Sequence, residues 1–138
     1  MQINSSIDGR PTVLLVDDNE MVLARAKAAL SAVCVIVGTA TSGQAGLDAA
    51  AALNPAIIVL DISMPPGMNG FEVARRLRET GSTARLVFLT VHEEEEFLLA
   101  AKDAGGLGYV LKTRLVSDLE VAVREAHAGR PFQSPLDS

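Results

Sequence analysis

The segment Ala56-Ile57-Ile58-Val59-Leu60-Asp61 is an unbroken apolar run that ends on a carboxylate. Four other short, mainly apolar runs share this character and lie at residues 12–16, 34–39, 85–90 and 108–111. Continuous apolar runs of this length are typical of strands that are covered on both faces, as in a parallel sheet. The chain is therefore predicted to contain five buried strands.

Segments with helical spacing of apolar residues separate these runs. They lie at residues 21–33, 45–53, 71–77, 93–104 and 116–128. Ser42 and Asn69 are suitable N-cap residues, and Gly81, Gly105 and Gly129 follow the three later segments. Strict alternation of strand and helix predicts an α/β fold: an open, doubly wound parallel sheet with helices on both faces. In such sheets, ligands bind beyond the carboxyl ends of the strands.

Polar side chains follow four of the five predicted strands. Asp17 and Asp18 follow the first, Asp61 the third, Thr90 ends the fourth and Lys112 follows the fifth. Three neighbouring carboxylates repel one another unless a cation binds between them, and carboxylate oxygens favour Mg²⁺ over Zn²⁺. A carboxylate can also act as the nucleophile in phosphoryl transfer. The sequence thus predicts a magnesium-dependent phosphoryl site at this edge.

Each of these residues also has an ordinary structural explanation. Asp17 and Asp18 could cap the first helix, Thr90 could be a plain strand residue, and Lys112 could be a solvated surface lysine. Their convergence on one edge of the sheet favours a functional site. His92, two residues after Thr90, is predicted to be an exposed loop residue, and the alternative is a position near the phosphoryl site where it affects hydrolysis.

Composition narrows the classes of function. Seventeen acidic and twelve basic residues give a net charge of −5, which argues against nucleic-acid binding by this chain. A single cysteine, Cys34, excludes an internal disulfide framework. No apolar run is long enough for a membrane span, and residues 1–11 lack a signal-peptide pattern, so we expect a cytoplasmic protein with no membrane association.

Five motifs together resemble a known family. They are Val13-Leu14-Leu15-Val16-Asp17-Asp18-Asn19-Glu20, Ile58-Val59-Leu60-Asp61-Ile62-Ser63-Met64-Pro65, Gly70, Leu89-Thr90 and Gly108-Tyr109-Val110-Leu111-Lys112. In this order they resemble the CheY-like receiver domain of two-component response regulators. The resemblance covers residues 11–129, and it implies a flavodoxin-like (βα)₅ sheet with strand order 2-1-3-4-5. Residues 1–10 would then be an N-terminal tail and residues 130–138 a C-terminal linker.

The resemblance also implies a role for each site residue. Asp61 would accept a phosphoryl group from the phosphohistidine of a sensor histidine kinase. Mg²⁺ would be bound by Asp17, Asp18, Asp61 and the backbone carbonyl of Ser63, with Asp17 acting largely through water. Lys112 would pair with the phosphoryl group, and Thr90 and Tyr109 would form the conformational switch. The chain would not be an enzyme, apart from the weak self-dephosphorylation of the family.

The ending Glu125-Ala126-His127-Ala128-Gly129-Arg130-Pro131 is similar to the NarL/LuxR type of response regulator. In that type a helix-turn-helix output domain that controls transcription follows, and this chain would lack it. Phosphorylation would strengthen a homodimer through the fourth helix, fifth strand and fifth helix. Three positions depart from the family pattern: the loop after Met64 is one residue longer, Val91 replaces a smaller residue, and Thr113 replaces a proline.

The residues leave two other functions open. One is a phosphorylation-independent or stand-alone receiver that acts as a scaffold. The other is a small aspartyl-phosphate phosphatase, which needs an acid two residues after its nucleophile. Asn19 occupies that position relative to Asp17 and cannot donate a proton as an acid would. A flavin-binding site is disfavoured because the loops after the first and third strands lack a phosphate cradle.

Overall fold

The computed structural model describes residues 6–136 of the 138-residue chain. Its strands are β1 (Ser6–Ile7), β2 (Arg10–Val16), β3 (Val35–Ala40), β4 (Ile57–Leu60), β5 (Arg85–Thr90), β6 (Gly106–Leu111) and β7 (Phe132–Gln133). Its helices are α1 (Glu20–Leu30), α2 (Gly43–Leu53), α3 (Gly70–Glu79), α4 (Glu95–Asp103) and α5 (Leu115–His127), with a 3₁₀ turn at Lys112–Arg114. None of the described helices is long and apolar enough to cross a membrane.

The five predicted strands form the parallel part of the sheet. β2 pairs with β3 on one side and with β4 on the other, followed by β5 and β6. The order β3-β2-β4-β5-β6 is the predicted 2-1-3-4-5, so the fold class is confirmed. The strand order reverses at β2, so the switch point lies between β2 and β4, where the loops carrying Asp17 and Asp61 begin.

Alternate residues of the central strands face two separate cores. One core contains Leu14, Ile58 and Phe88 and is covered by α2, α3 and α4. The other core contains Leu15 and Val59 and is covered by α1 and α5. Burial on both faces explains why these strands are continuously apolar rather than alternating.

Helix capping leaves the aspartates after β2 free for other roles. The side chain of Asn19 accepts hydrogen bonds from the backbone amides of Met21 and Val22, so Asn19 is the N-cap of α1. The ordinary explanation of Asp17 and Asp18 as helix caps is therefore wrong. Ser42 caps α2 and Asn69 caps α3, as predicted.

The ordered fold extends beyond the predicted boundaries at both ends. The expected tail before residue 11 contains β1, which pairs antiparallel with the start of β2 through a turn at Asp8 and Gly9. The expected linker after residue 129 contains β7, which pairs in parallel with β6. Within residues 6–136 the sheet therefore has seven strands rather than five. Residues 1–5 and 137–138 lie outside the described part of the chain.

Candidate functional site

Three carboxylates meet at the carboxyl ends of β2 and β4. Asp17, Asp18 and Asp61 each offer an oxygen that lies within 4.8 Å of the other two. Asp17 and Asp61 are 3% and 4% exposed, whereas Asp18 faces solvent. The sequence prediction that these three side chains converge is confirmed.

Lys112 lies against the two buried members of this cluster. Its Nζ is 2.8 Å from Asp17 Oδ2 and 3.2 Å from Asp61 Oδ2. β6 ends at Leu111, directly before Lys112, so the strand delivers the ammonium group to the carboxylates. The explanation of Lys112 as a solvated surface lysine is wrong.

The cluster changes the acidity of its members. Burial, followed by the charge of Asp17, raises the pKa of Asp61 to about 6, although Lys112 opposes the shift. Burial lowers the pKa of Lys112, but hydrogen bonds and charges from Asp17 and Asp61 outweigh it and raise the pKa above its ordinary value. Lys112 is therefore a permanent cation at neutral pH, and it only partly neutralises the three carboxylates.

The donor set fits a hard divalent cation. The buried Oδ2 of Asp17 forms the ion pair with Lys112 at 2.8 Å and keeps a further lone pair for a cation. Its Oδ1 accepts a hydrogen bond from the backbone amide of Asn19 at 2.9 Å, which fixes the carboxylate. Oxygen-only donors with one solvent-facing side are what Mg²⁺ prefers, because this ion keeps several waters.

The loop after β4 is held close to Asp61. The backbone amide of Ser63 lies 3.4 Å from Asp61 Oδ1, and the Gly70 amide donates to the Ile62 carbonyl at 2.7 Å. A Cβ at residue 70 would collide with the backbone carbonyl of Asp61, so glycine is required there. The longer loop contains a cis bond at Pro65–Pro66, the only cis bond in residues 6–136, so the Lys112–Thr113 bond is trans.

Thr90 and Tyr109 lie on the neighbouring strands β5 and β6. Thr90 is fully buried, and its hydroxyl accepts a hydrogen bond from the backbone amide of His92 at 3.1 Å. Tyr109 is 2% exposed, and its hydroxyl donates to the His92 carbonyl at 2.9 Å. Both side chains of the predicted switch pair are thus attached to the backbone of one residue.

The contacts of His92 favour the alternative position near the phosphoryl site. Its ring is stacked on Phe97 at a centroid distance of 3.9 Å, and its Nε2 lies 2.9 Å from Ser63 Oγ. His92 lies in a loop, as predicted, but its side chain is only 26% exposed, which is less than expected for a solvated residue. The residue bridges the loops after β4 and β5 beside Asp61. In the sequence, only its position two residues after Thr90 indicates that His92 lies near Asp61.

Comparison with known proteins agrees with this geometry. The family model of the response regulator receiver domain matches residues 13–124. The chain belongs to this family. The receiver is 38% identical over 120 residues to the nitrate/nitrite response regulator protein NarL of Escherichia coli strain K12, covering 86% of this chain and 55% of that protein. It is 33% identical over 121 residues to the transcriptional regulatory protein LiaR of Bacillus subtilis, covering 86% and 57%.

Solved structures give the same assignment. The signal receiver domain of the putative response regulator NarL from Mycobacterium tuberculosis superimposes with a TM-score of 0.83 at 29% identity, covering 88% of this chain and 98% of that one. A LuxR-family response regulator from Aurantimonas sp. SI85-9A1 gives 0.84 at 29% identity, covering 90% and 89%. The receiver is therefore of the NarL/LuxR type, and it spans a little over half the length of NarL of Escherichia coli and of LiaR.

Proposed function

We propose that this receiver accepts a phosphoryl group on Asp61 from the phosphohistidine of a sensor histidine kinase. The observation that carries this proposal is the placement of Asp61, nine-tenths buried, between the Lys112 ammonium group and two further carboxylates. A carboxylate in this setting is a nucleophile whose neighbours can balance the charge of an incoming phosphoryl group. The low exposure of Asp61 also limits attack by water on the product.

The transfer needs little from the protein beyond position and charge. An oxygen of the ionised Asp61 attacks phosphorus, and the bond from phosphorus to the histidine nitrogen breaks as the new bond forms. Lys112, 3.2 Å from Asp61 Oδ2, stabilises the negative charge on the phosphoryl oxygens. Asp17, Asp18, Asp61 and the Ser63 carbonyl would bind Mg²⁺, which would supply further charge neutralisation.

The acquired phosphoryl group would act on the fold through Thr90 and Tyr109. It adds negative charge and hydrogen-bond acceptors beside Thr90, whose hydroxyl can donate to it after releasing the His92 amide. Since Tyr109 also bonds to His92, the loop between β5 and α4 would respond as a unit. We infer that the output is self-association through α4, β6 and α5. Exposed Leu99 on α4 and Val116 and Val121 on α5 provide apolar surface for it.

Intact-mass spectrometry tests the phosphoacceptor. Incubation of the full chain with MgCl₂ and acetyl phosphate should add one phosphoryl group to the wild-type protein and none to Asp61→Asn. Asp48→Asn is the matched control, because Asp48 lies on the exposed face of α2, where it contacts Gln44. Absence of the adduct in the folded wild-type protein would contradict the proposal and favour a phosphorylation-independent scaffold.

The phosphatase alternative has less support. The side-chain oxygen of Asn19 accepts two hydrogen bonds from backbone amides at the start of α1, so it caps that helix. The side-chain amide of Asn19 also has no acidic proton to donate. Multiple-turnover release of phosphate from a monoester would be required to revive it.

A further inference from the structure

The last part of the described chain is a structural element of the sheet. Residues 131–136, here termed the strap, run in parallel with β6, with Phe132 opposite Gly108 and Gln133 opposite Tyr109. Phe132 packs on the core beneath α1 and α5, whereas Leu136 packs on the core beneath α2, α3 and α4. The strap therefore continues both layers of the fold.

One residue anchors the strap. Ser134 is fully buried, and its backbone amide donates to the Tyr109 carbonyl at 2.8 Å. Its hydroxyl accepts a hydrogen bond from the Leu111 amide at 3.2 Å and donates to Asp118 Oδ2 at 2.7 Å. A buried hydroxyl bonded to a carboxylate is a strong contact, because the acceptor is charged.

The same carboxylate connects the strap to the turn that follows Lys112. Asp118 Oδ2 also accepts a hydrogen bond from Arg114 Nε at 2.7 Å. Arg114 ends the 3₁₀ turn that begins with Lys112, which itself contacts Asp61. A chain of direct contacts thus runs from Asp61 through Lys112, the turn and Asp118 to Ser134.

The other side of the strap is loosely held. Between it and α4 lies a groove of about 420 Å³, lined by Leu98, Lys102 and Gly108 from the body of the receiver and by Phe132 from the strap. The strap is thus held by the β6 edge, by Asp118 and by the packing of Phe132 and Leu136, both of which are only partly buried. An element with a two-residue strand and a single polar anchor belongs to the less stable part of a fold.

We propose that the strap is an intramolecular cover of the β6 edge, and that a second copy of this chain can use that edge only after the strap detaches. The inference deepens the proposed function and rests on its assignment of self-association to α4, β6 and α5. The docked strap saturates backbone groups at Tyr109 and Leu111, so it and a dimer partner compete for the same edge. Phosphorylation of Asp61 shifts Lys112 and the turn after it, and thereby weakens the hold of Asp118 on Ser134.

Hydrogen exchange tests this in the wild-type chain. The amide of Ser134 is protected only while the strap is docked on β6, so we expect it to exchange roughly 10-fold faster with MgCl₂ and beryllofluoride, as the protein becomes dimeric. The Leu111 amide does not report strap release in the dimer, because the second copy covers the same edge. The amide of Val59 in β4 should not change. A dimer in which the Ser134 amide stays protected would overturn the proposal, because the strap would then remain docked or be exchanged between copies.

A pair of serine variants tests the anchor without phosphorylation. Ser134 and Ser117 both donate to Asp118, but Ser117 does not contact the strap. Ser134→Ala should lower the dimer dissociation constant by roughly 10-fold, the size expected for a hydrogen bond to a charged group, while Ser117→Ala should behave as wild type. A folded Ser134→Ala variant whose Leu111 amide exchanges freely but which stays monomeric would overturn the proposal.

The two experiments separate this inference from the proposed function. Failure of beryllofluoride to bind would contradict phosphorylation at Asp61, while the serine pair would still decide whether the strap excludes a second copy. If Ser134→Ala does not fold, the exchange rates of the wild-type chain decide.

Discussion

The hydroxyl of Tyr109 donates a hydrogen bond to the backbone carbonyl of His92 at 2.9 Å. This contact connects the buried strand β6 to the loop between β5 and α4, which carries both the His92 ring and the amide bonded to Thr90. The inward position of the tyrosine is therefore coupled to the same loop that borders Asp61. Movement of the Tyr109 side chain therefore affects the loop between β5 and α4, and movement of this loop affects Tyr109.

Tyr109 is the only tyrosine in a chain without tryptophan, so its ionisation can be followed by absorbance. Burial, followed by the charge of Glu94, raises the pKa of Tyr109 to about 12. The protonated phenol is favoured by folding, so its contribution to stability is complete below about pH 10 and is lost as the pH rises through about 12. We expect no phenolate signal in the folded protein at pH 10.5. A phenolate signal at pH 10.5 from protein that is still folded would contradict the buried position of Tyr109.

Asp61→Asn should stabilise the metal-free receiver. The raised pKa means that the wild-type group favours folding most below about pH 4 and that this contribution is lost as the pH rises through about 6. In EDTA, Asp61→Asn should therefore gain stability over the wild type as the pH rises. The difference between their free energies of unfolding should grow by about 1–3 kcal/mol between pH 4 and pH 8, in favour of the variant. Urea denaturation at both pH values measures the difference, with Asp48→Asn as the control that should show none.

Magnesium should raise the melting temperature of the wild-type receiver, because an ion that binds only the folded state stabilises it. Asp18 is exposed, so the melting temperature of metal-free Asp18→Asn should lie within about 2 °C of the wild-type value. The rise in melting temperature that magnesium causes should be smaller in this variant than in the wild type. Calorimetry with and without MgCl₂ measures both quantities. An equal magnesium shift in wild type and Asp18→Asn would exclude Asp18 as a ligand.

His92→Ala should increase the rate of phosphorylation by acetyl phosphate several-fold. The substitution removes the ring that bridges Ser63 and Phe97 and so widens the approach to Asp61. The backbone carbonyl that anchors Tyr109 remains. His127→Ala is the matched control, since His127 is the other histidine and lies exposed at the end of α5. A rate equal to that of wild type, measured by intact mass over time, would show that His92 does not restrict access.

Asp118 should contribute to stability at neutral pH and lose that contribution in acid. Burial alone raises the pKa of Asp118, but hydrogen bonds from Arg114, Ser134 and Ser117 outweigh it and lower the pKa. The ionised form is thus favoured by folding, and its contribution is present above about pH 4 and lost as the pH falls through the lowered pKa. Asp118→Asn should destabilise the protein at pH 7 by about 1–3 kcal/mol and by less at pH 3, as measured by urea denaturation.

The sequence predicted the sheet and the site through the same feature. Continuous apolar runs identified β2, β4 and β5, because strands covered on both faces leave no solvent-facing positions for polar residues. The residues that follow β2, β4 and β6 are Asp17, Asp61 and Lys112, and they meet because the carboxyl ends of parallel strands share one edge. These assignments needed only local pattern and the known geometry of parallel sheets.

The tertiary structure decided what no local pattern encodes. β7 has two residues and no apolar run, and it exists only because the β6 edge and Asp118 provide partners for its backbone and for Ser134. His92 is partly covered because Phe97 and Ser63, from separate segments, contact its ring in the folded chain. The amino-acid sequence alone indicated which groups reach the acidic edge of the sheet, because strand direction fixes that. Only tertiary packing decided which edges and loops are covered, because those contacts join residues that are distant or have weak local preferences.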